Sequence, residues 1–157
     1  MKRFNAFGAH NFCGKLDDLV SQLNDFKKDE ISVFRANSLA IACWNLEEWA
    51  FKDPLLSNTI DRDLFRRDLF RKCPALAIMH DIANSEKHKG VSRPKATIKD
   101  NGTKLAIGDY HPGDYNREDY RTTRFEIELE NNTVLEFYNE AKKVVEFWQD
   151  FFKSHSG

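Results

Sequence analysis

Hydrophobic positions in this chain recur at helical spacing over four stretches, switch to alternation, and then return to helical spacing. From Leu16 the apolar positions are 16, 19, 20, 23 and 26, and Lys27-Lys28 supplies the cationic end that suits a helix C-terminus. A second helix runs from about Glu30 to Phe51. Ile31, Phe34, Leu39, Ala42, Cys43, Leu46, Trp49 and Ala50 make it apolar around much of its circumference, so it belongs at the centre of a bundle. Asp53-Pro54 ends it, because proline disfavours helical geometry in the residue before it. After Leu55-Leu56-Ser57-Asn58, a third helix spans about Thr59 to Lys72. Its near-repeat, from Asp63 and again from Asp68, is offset by five residues. That offset rotates the copies by about 140° on a helix, so the segment reads as a short amphipathic helix with four arginines. Pro74 opens a fourth helix and Gly90 closes it. Residues 1–12, with Phe4, Phe7 and Phe12, drape onto the core.

The pattern changes after Ser92-Arg93-Pro94. Asn101-Gly102 is the strongest two-residue turn signal, and a hairpin centred on it sets Ile98 opposite Leu105 and Ala96 opposite Ile107. The apolar residues then share one face. Phe125–Leu129 alternates as a third strand, and Thr133-Val134-Leu135-Glu136 forms a capping box opening the last helix. That helix carries Leu135, Tyr138, Ala141, Val145, Trp148 and Phe152 and ends near Lys153. The expected fold is mainly α: a four- to five-helix bundle with an inserted three-stranded antiparallel β flap before the last helix. Residues 1–157 form a single helical domain. Residues 13–90 and 133–153 build the bundle, and 95–130 supply the β hairpin, a tyrosine loop and the third strand.

Composition narrows the classes. A chain of 157 residues, 41% hydrophobic and 31% charged, has the make-up of a soluble globular protein with a sizeable core. Its net charge of −1 argues against wholesale electrostatic capture by nucleic acid or anionic membrane and leaves only a local basic surface for such partners. No run of about 18 apolar residues spans a membrane, and no signal-peptide stretch follows Met1, so the expected location is cytoplasmic. Cys13, Cys43 and Cys73 are odd in number and lack close pairs, which is neither a disulfide framework nor a zinc signature.

Candidate chemistry concentrates in the polar run from His80 to His88. On a helical wheel His80, Asp81, Asn84, Ser85, Lys87 and His88 share one arc, opposite Leu76, Met79, Ile82 and Ala83. Glu86 breaks the apolar arc. The arc is either a solvated face or a site; it holds two of the five histidines, and histidine titrates near neutral pH. Asn84 lies one turn from each, and Asp81 is close enough to His88 to orient it. The two histidines are two turns apart and H-E-x-x-H is absent, so no metal is expected. Ser85 has no nucleophile elbow, and no glycine-rich phosphate loop implies a cofactor. Acid–base chemistry, or binding of a polar, phosphate-bearing ligand by His88, Lys87 and Asn84, is what remains, with His80 and Asp81 in support. Glu47 and Glu48, between Trp44 and Trp49, read as solvent-exposed; the alternative makes one of them, Glu48, a partner carboxylate to this site.

A second candidate is the long connection from Gly108 to Arg121, in which Asp-Tyr recurs at 109, 114 and 119. Tyr110, Tyr115 and Tyr120 with Arg117 suit protein recognition or base stacking. The flanking aspartates favour a protein partner over phosphate; the bland reading is a flexible surface excursion.

The ending Asn84-Ser85-Glu86-Lys87-His88 on a four-helix core resembles HEPN-type domains of bacterial conflict and toxin–antitoxin systems. The chain is also similar to small bacterial and phage-borne proteins in which a tryptophan-rich helix precedes an Asp-x-Ala-Asn-x-x-Lys-His run. Trp44–Trp49 and Asp81–His88 carry the likeness, which covers residues 13–90. HEPN members that cleave RNA do so without metal, using an arginine a few residues before a histidine, and form the site across a dimer. The resemblance implies His88 as the catalytic histidine, Asn84 or Asp81 as its polar companion, and a homodimer. The chain departs from the pattern where the arginine is expected: Asp81-Ile82-Ala83 supply none, and the nearest upstream arginine is Arg71, before Pro74. Lys87 supplies charge without a bidentate fork. The expectation is a HEPN-like protein of a bacterial or phage conflict system, with RNA or a nucleotide as partner, bound or cleaved without metal. The alternative is a non-catalytic protein-interaction module or inhibitor that uses the tyrosine loop.

Overall fold

The helical spacings do fold as helices, and a side-chain cap starts each of the first three. In the computed structural model, which describes residues 7–8, 11–53, 61–91, 93–106 and 124–156 (the side chains of His88 and Ser156 excepted), the order begins α1 (Phe12–Lys28), α2 (Val33–Lys52), α3 (Arg62–Lys72) and α4 (Pro74–His88). It continues with β1 (Ile98–Ala106), β2 (Arg124–Leu129), β3 (Val134–Glu136) and α5 (Phe137–Ser156). Asn11 caps α1 by accepting from the Gly14 amide at 2.8 Å. Ser32 does the same for α2 from Arg35 at 3.2 Å, and Asp61 for α3 from Asp63 at 2.8 Å. These bonds satisfy amides that a helix start leaves orphaned. The expected mainly α bundle, with an antiparallel three-stranded sheet before the last helix, is the observed one.

As its apolar circumference predicts, α2 is central, packing on α4, α1 and α5. Phe12 is fully buried as the first residue of α1, edge-on to Trp148 of α5 at 5.7 Å. Trp148 also donates from Nε1 to the Cys43 carbonyl of α2 at 3.0 Å, giving a buried indole its polar partner. Phe7, expected to drape onto the core, is fully exposed instead; Phe4 lies outside the described residues. Among the described residues no helix is long and apolar enough to cross a membrane.

The sheet departs from expectation in its pairing. Asn101-Gly102 does not turn a hairpin. β1 runs straight through it and pairs antiparallel with β2, setting Ile98 opposite Leu129 and Leu105 opposite Phe125. The partners advance unequally between Ile98 and Thr103, so Asn-Gly lies in an irregular bulge, with Asn101 at φ 58°. An isolated two-stranded ribbon is marginal, whereas β2 offers Phe125, Ile127 and Leu129 on one face, packed against the core. Phe26 of α1 bridges that face to α5, stacking on Phe125 at 6.5 Å and edge-on to Phe137 at 5.4 Å. The tight turn is at Asn131-Asn132: the Leu129 amide donates to Thr133 O at 2.9 Å, and Asn132 takes φ 68°. Val134–Glu136, read as a capping box, therefore forms β3, with Leu135 opposite Ile127. The tyrosine loop, with Tyr110, Tyr115, Arg117 and Tyr120, lies outside the described residues.

Gly102 tests the bulge. A Cβ there would meet the Glu128 carbonyl at 2.5 Å and the Lys99 carbonyl at 2.7 Å. Gly102→Ala is expected to lower stability by about 1–3 kcal/mol, read as an earlier urea midpoint at unchanged m-value. Wild-type stability would show that the bulge is not held this closely.

Candidate functional site

α4 begins buried on every side. Ala75, Leu76, Ala77, Ile78 and Met79 are all in the core, and so are His80 and Asp81, at 7% and 4% exposure. The single polar arc read from the wheel is therefore corrected. It holds only from Asn84 onward, where Asn84 is half-buried and Ser85, Glu86 and Lys87 are exposed. Glu86 stands in solvent, not against a buried partner. The wheel describes one helix alone, whereas α2, α3 and the segment before β1 cover the flank that it assigned to water.

His80 sits in an aromatic box, edge-on to Trp44 at 4.7 Å and to Phe70 at 5.7 Å, while Trp44 and Phe70 stack at 5.5 Å. Its Nδ1 lies 2.7 Å from Asp81 Oδ1, and its Nε2 lies 2.9 Å from Asn84 Nδ2. The carboxylate is an acceptor, so Nδ1 carries the proton and Nε2 of the neutral ring accepts from the Asn84 amide. Asp81 also accepts from the Lys95 amide at 2.8 Å and the Ala96 amide at 2.7 Å. It thereby ties the segment entering β1 to α4.

Across the cleft, Glu47 reverses the expectation of exposure. It is 2% exposed and holds two guanidinium groups in bidentate pairs. Arg62 donates Nε and Nη2 to it at 3.0 Å each, and Arg66 donates Nε at 3.0 Å and Nη2 at 3.3 Å. The two arginines stand one helical turn apart on α3. Arg66 lies over Trp44 at 5.4 Å and Arg62 over Phe51 at 5.5 Å, cation–π placements that fix the guanidinium planes. Burial pushes the Glu47 carboxyl up, but the hydrogen bonds and charges of both arginines outweigh it and hold the group below its ordinary range. Glu48 is exposed as expected and bonded to Lys52 at 2.6 Å, which lowers its carboxyl too.

These groups meet in a cleft of about 280 Å³ between α2, α3 and α4, where Trp44, Arg62, Arg66, Asn84 and Lys87 line the walls and Glu48 and Glu86 the rim. A larger groove, about 700 Å³, lies between the start of α2, the end of α4 and the sheet, and does not include the arginine pair. No family model, curated protein or solved structure matches this chain. Function has to be argued from the cleft.

Of the residues singled out in the sequence, Asn84, Lys87 and Glu48 converge on the cleft, His80 backs it from the core, and Asp81 faces away. The His88 backbone ends α4; its side chain lies outside the described residues. The pattern singled out neither Arg62 nor Arg66, and it set Glu47 in solvent. A signal was available, since Ala36, Ala40, Cys43, Glu47 and Ala50 mark one buried stripe at three- and four-residue spacing. A carboxylate on such a stripe requires cations from a neighbour.

Among the described residues no group of three or more His, Cys, Asp or Glu is placed to hold a metal ion. Two outcomes test the network. Because the folded Glu47 carboxyl lies below 4.5, its contribution is complete above that pH and is lost as pH falls through the lowered value. Glu47→Gln should therefore flatten the acid limb of a stability–pH curve and cost about 1–3 kcal/mol at neutral pH; an unchanged limb counts against the pair. Asp81→Ala leaves the Lys95 and Ala96 amides without their acceptor and should cost about 2–4 kcal/mol, with faster amide exchange at both. Unaltered exchange there would remove Asp81 from this role.

Proposed function

We propose that this chain is a HEPN-like, RNA-associated protein of the kind found in bacterial and phage conflict systems, and that RNA phosphate binds in the cleft between α2, α3 and α4. One observation carries the reading. Arg62 and Arg66 are held rigidly beside Asn84 and Lys87, so arginines from α3 stand where the run on α4 has none of its own. Guanidinium groups with fixed planes are the side chains best matched to phosphate.

Binding is better supported than cleavage. Both ring nitrogens of His80 are engaged and the ring is buried, so it supports Asn84 without reaching a substrate. Cleavage would fall to His88, in a homodimer that brings two copies together.

The test uses purified protein and labelled single-stranded RNA with EDTA present. Arg66→Ala is expected to weaken binding by ten-fold or more, as loss of one charged hydrogen-bonding group predicts, and to reduce the salt slope by roughly 0.7. RNA affinity unchanged in this variant, with folding verified by circular dichroism, would sink the assignment. Cleavage by wild type but not by His88→Ala would move the protein to the ribonuclease side; equal traces from both would keep it a binder.

A further inference from the structure

The charge layout of the cleft says more about the ligand than that it is anionic, if the RNA reading above holds. We infer that the cleft selects a phosphate monoester, either the phosphorylated end of an RNA strand or a nucleoside monophosphate, over the internal phosphodiesters of a strand.

Three features lead there. The first is the free edge of each arginine. Nε and Nη2 of both are committed to Glu47, and Nη1 of each has no partner among the described residues, although both side chains are about one-third exposed. Glu47 offsets one of the two positive charges and locks both planes, so two cleft-lining arginines keep an uncommitted Nη1 at little further entropic cost. Lys87, exposed on the same cleft, adds a third cation.

The second feature is the rim. Glu86 and Glu48, the latter paired with Lys52, are exposed carboxylates lining the same cleft. A continuous strand would bring flanking phosphates against them, above all against Glu86, and like charges placed together oppose binding. A terminal phosphate enters alone. It also carries about −1.5 to −2 charge at neutral pH, against −1 for a diester, and so matches two guanidinium edges better.

Size is the third. About 280 Å³ is near the lower limit of small-molecule sites, roughly 300 Å³. That is the scale of a single phosphorylated nucleoside. Asn84 lines the cleft, and with its amide nitrogen engaged by His80 Nε2 its carbonyl oxygen is left as an acceptor suited to a ribose hydroxyl or a base amino group.

The experiment compares one internally labelled single-stranded RNA carrying a 5′-phosphate, a 3′-phosphate or hydroxyl ends, with AMP as competitor, by fluorescence polarisation. A phosphorylated end is expected to bind at least ten-fold tighter than hydroxyl ends, and AMP to displace it. Arg66→Lys, which keeps a charge on Glu47 but removes the Nη1 edge and one of the two bonds to Glu47, should abolish that preference, with a lowered melting temperature and an unchanged circular dichroism spectrum; the exposed Lys87→Ala should reduce the preference with an unchanged melting curve. Glu48→Gln with Glu86→Gln should raise affinity for hydroxyl-ended RNA and narrow the gap. Equal affinity for all three RNAs overturns the inference and leaves RNA binding standing. AMP binding without any RNA binding keeps the monoester site and overturns the RNA reading. Binding of neither overturns both, and a preference that survives Arg66→Lys overturns the assignment to the arginine pair.

Discussion

A carboxylate removed from water must be met by donors, and α2 and α4 each bury one. The remedies differ. Glu47 is met by two full charges from α3, and Asp81 by neutral dipoles: one imidazole N–H and two backbone amides. Each remedy recruits a segment that has little apolar surface of its own. Only Phe65 and Leu69 of α3 are deeply buried, so the Glu47 pairs are a main tie between α3 and α2. The segment between α4 and β1 has backbone amides to offer and little else, and Asp81 collects two of them. Loss of either carboxylate would release a piece of structure and not merely a contact.

His80 joins the Asp81 anchor to the cleft. On one side the imidazole leans on Asp81, which belongs to the scaffold; on the other it holds Asn84, which belongs to the cleft. Trp44 and Phe70 close the remaining directions. The cleft is therefore walled by side chains whose orientations are set by buried groups, not by solvent. Such preorganisation lowers the ordering cost of binding, and it suits recognition better than chemistry, which requires a group free to exchange a proton.

The helices were legible in the sequence because their apolar spacing is long and regular, and because Pro74, Asp53-Pro54 and the cationic end at Lys27-Lys28 punctuate them. β2 was legible for the same reason. Its partners were not. Asn101-Gly102 is as strong a local turn signal as exists, yet a distant strand with three apolar residues on one face outweighed it, and the turn formed at Asn131-Asn132, which carries a weaker signal. Within the site, Asn84 and Lys87 were read correctly as a pair on one face. His80 and Asp81 were misplaced since a wheel cannot report what covers a helix. Glu47 was misread because its neighbour Glu48 is solvated, and adjacent carboxylates look alike until one is seen to fall on the buried stripe.

The indole bond from Trp148 to the Cys43 carbonyl joins residues 105 positions apart, and Phe12 packs on the same ring. The first helix thus completes its packing only when the last arrives. Closing so long a loop costs conformational entropy before any contact rewards it, and non-local closure of this kind slows folding relative to a bundle of neighbouring hairpins. During synthesis α1 to α4 emerge before the ring that completes their packing, so the apolar groups that Trp148 covers stay open to water until α5 arrives.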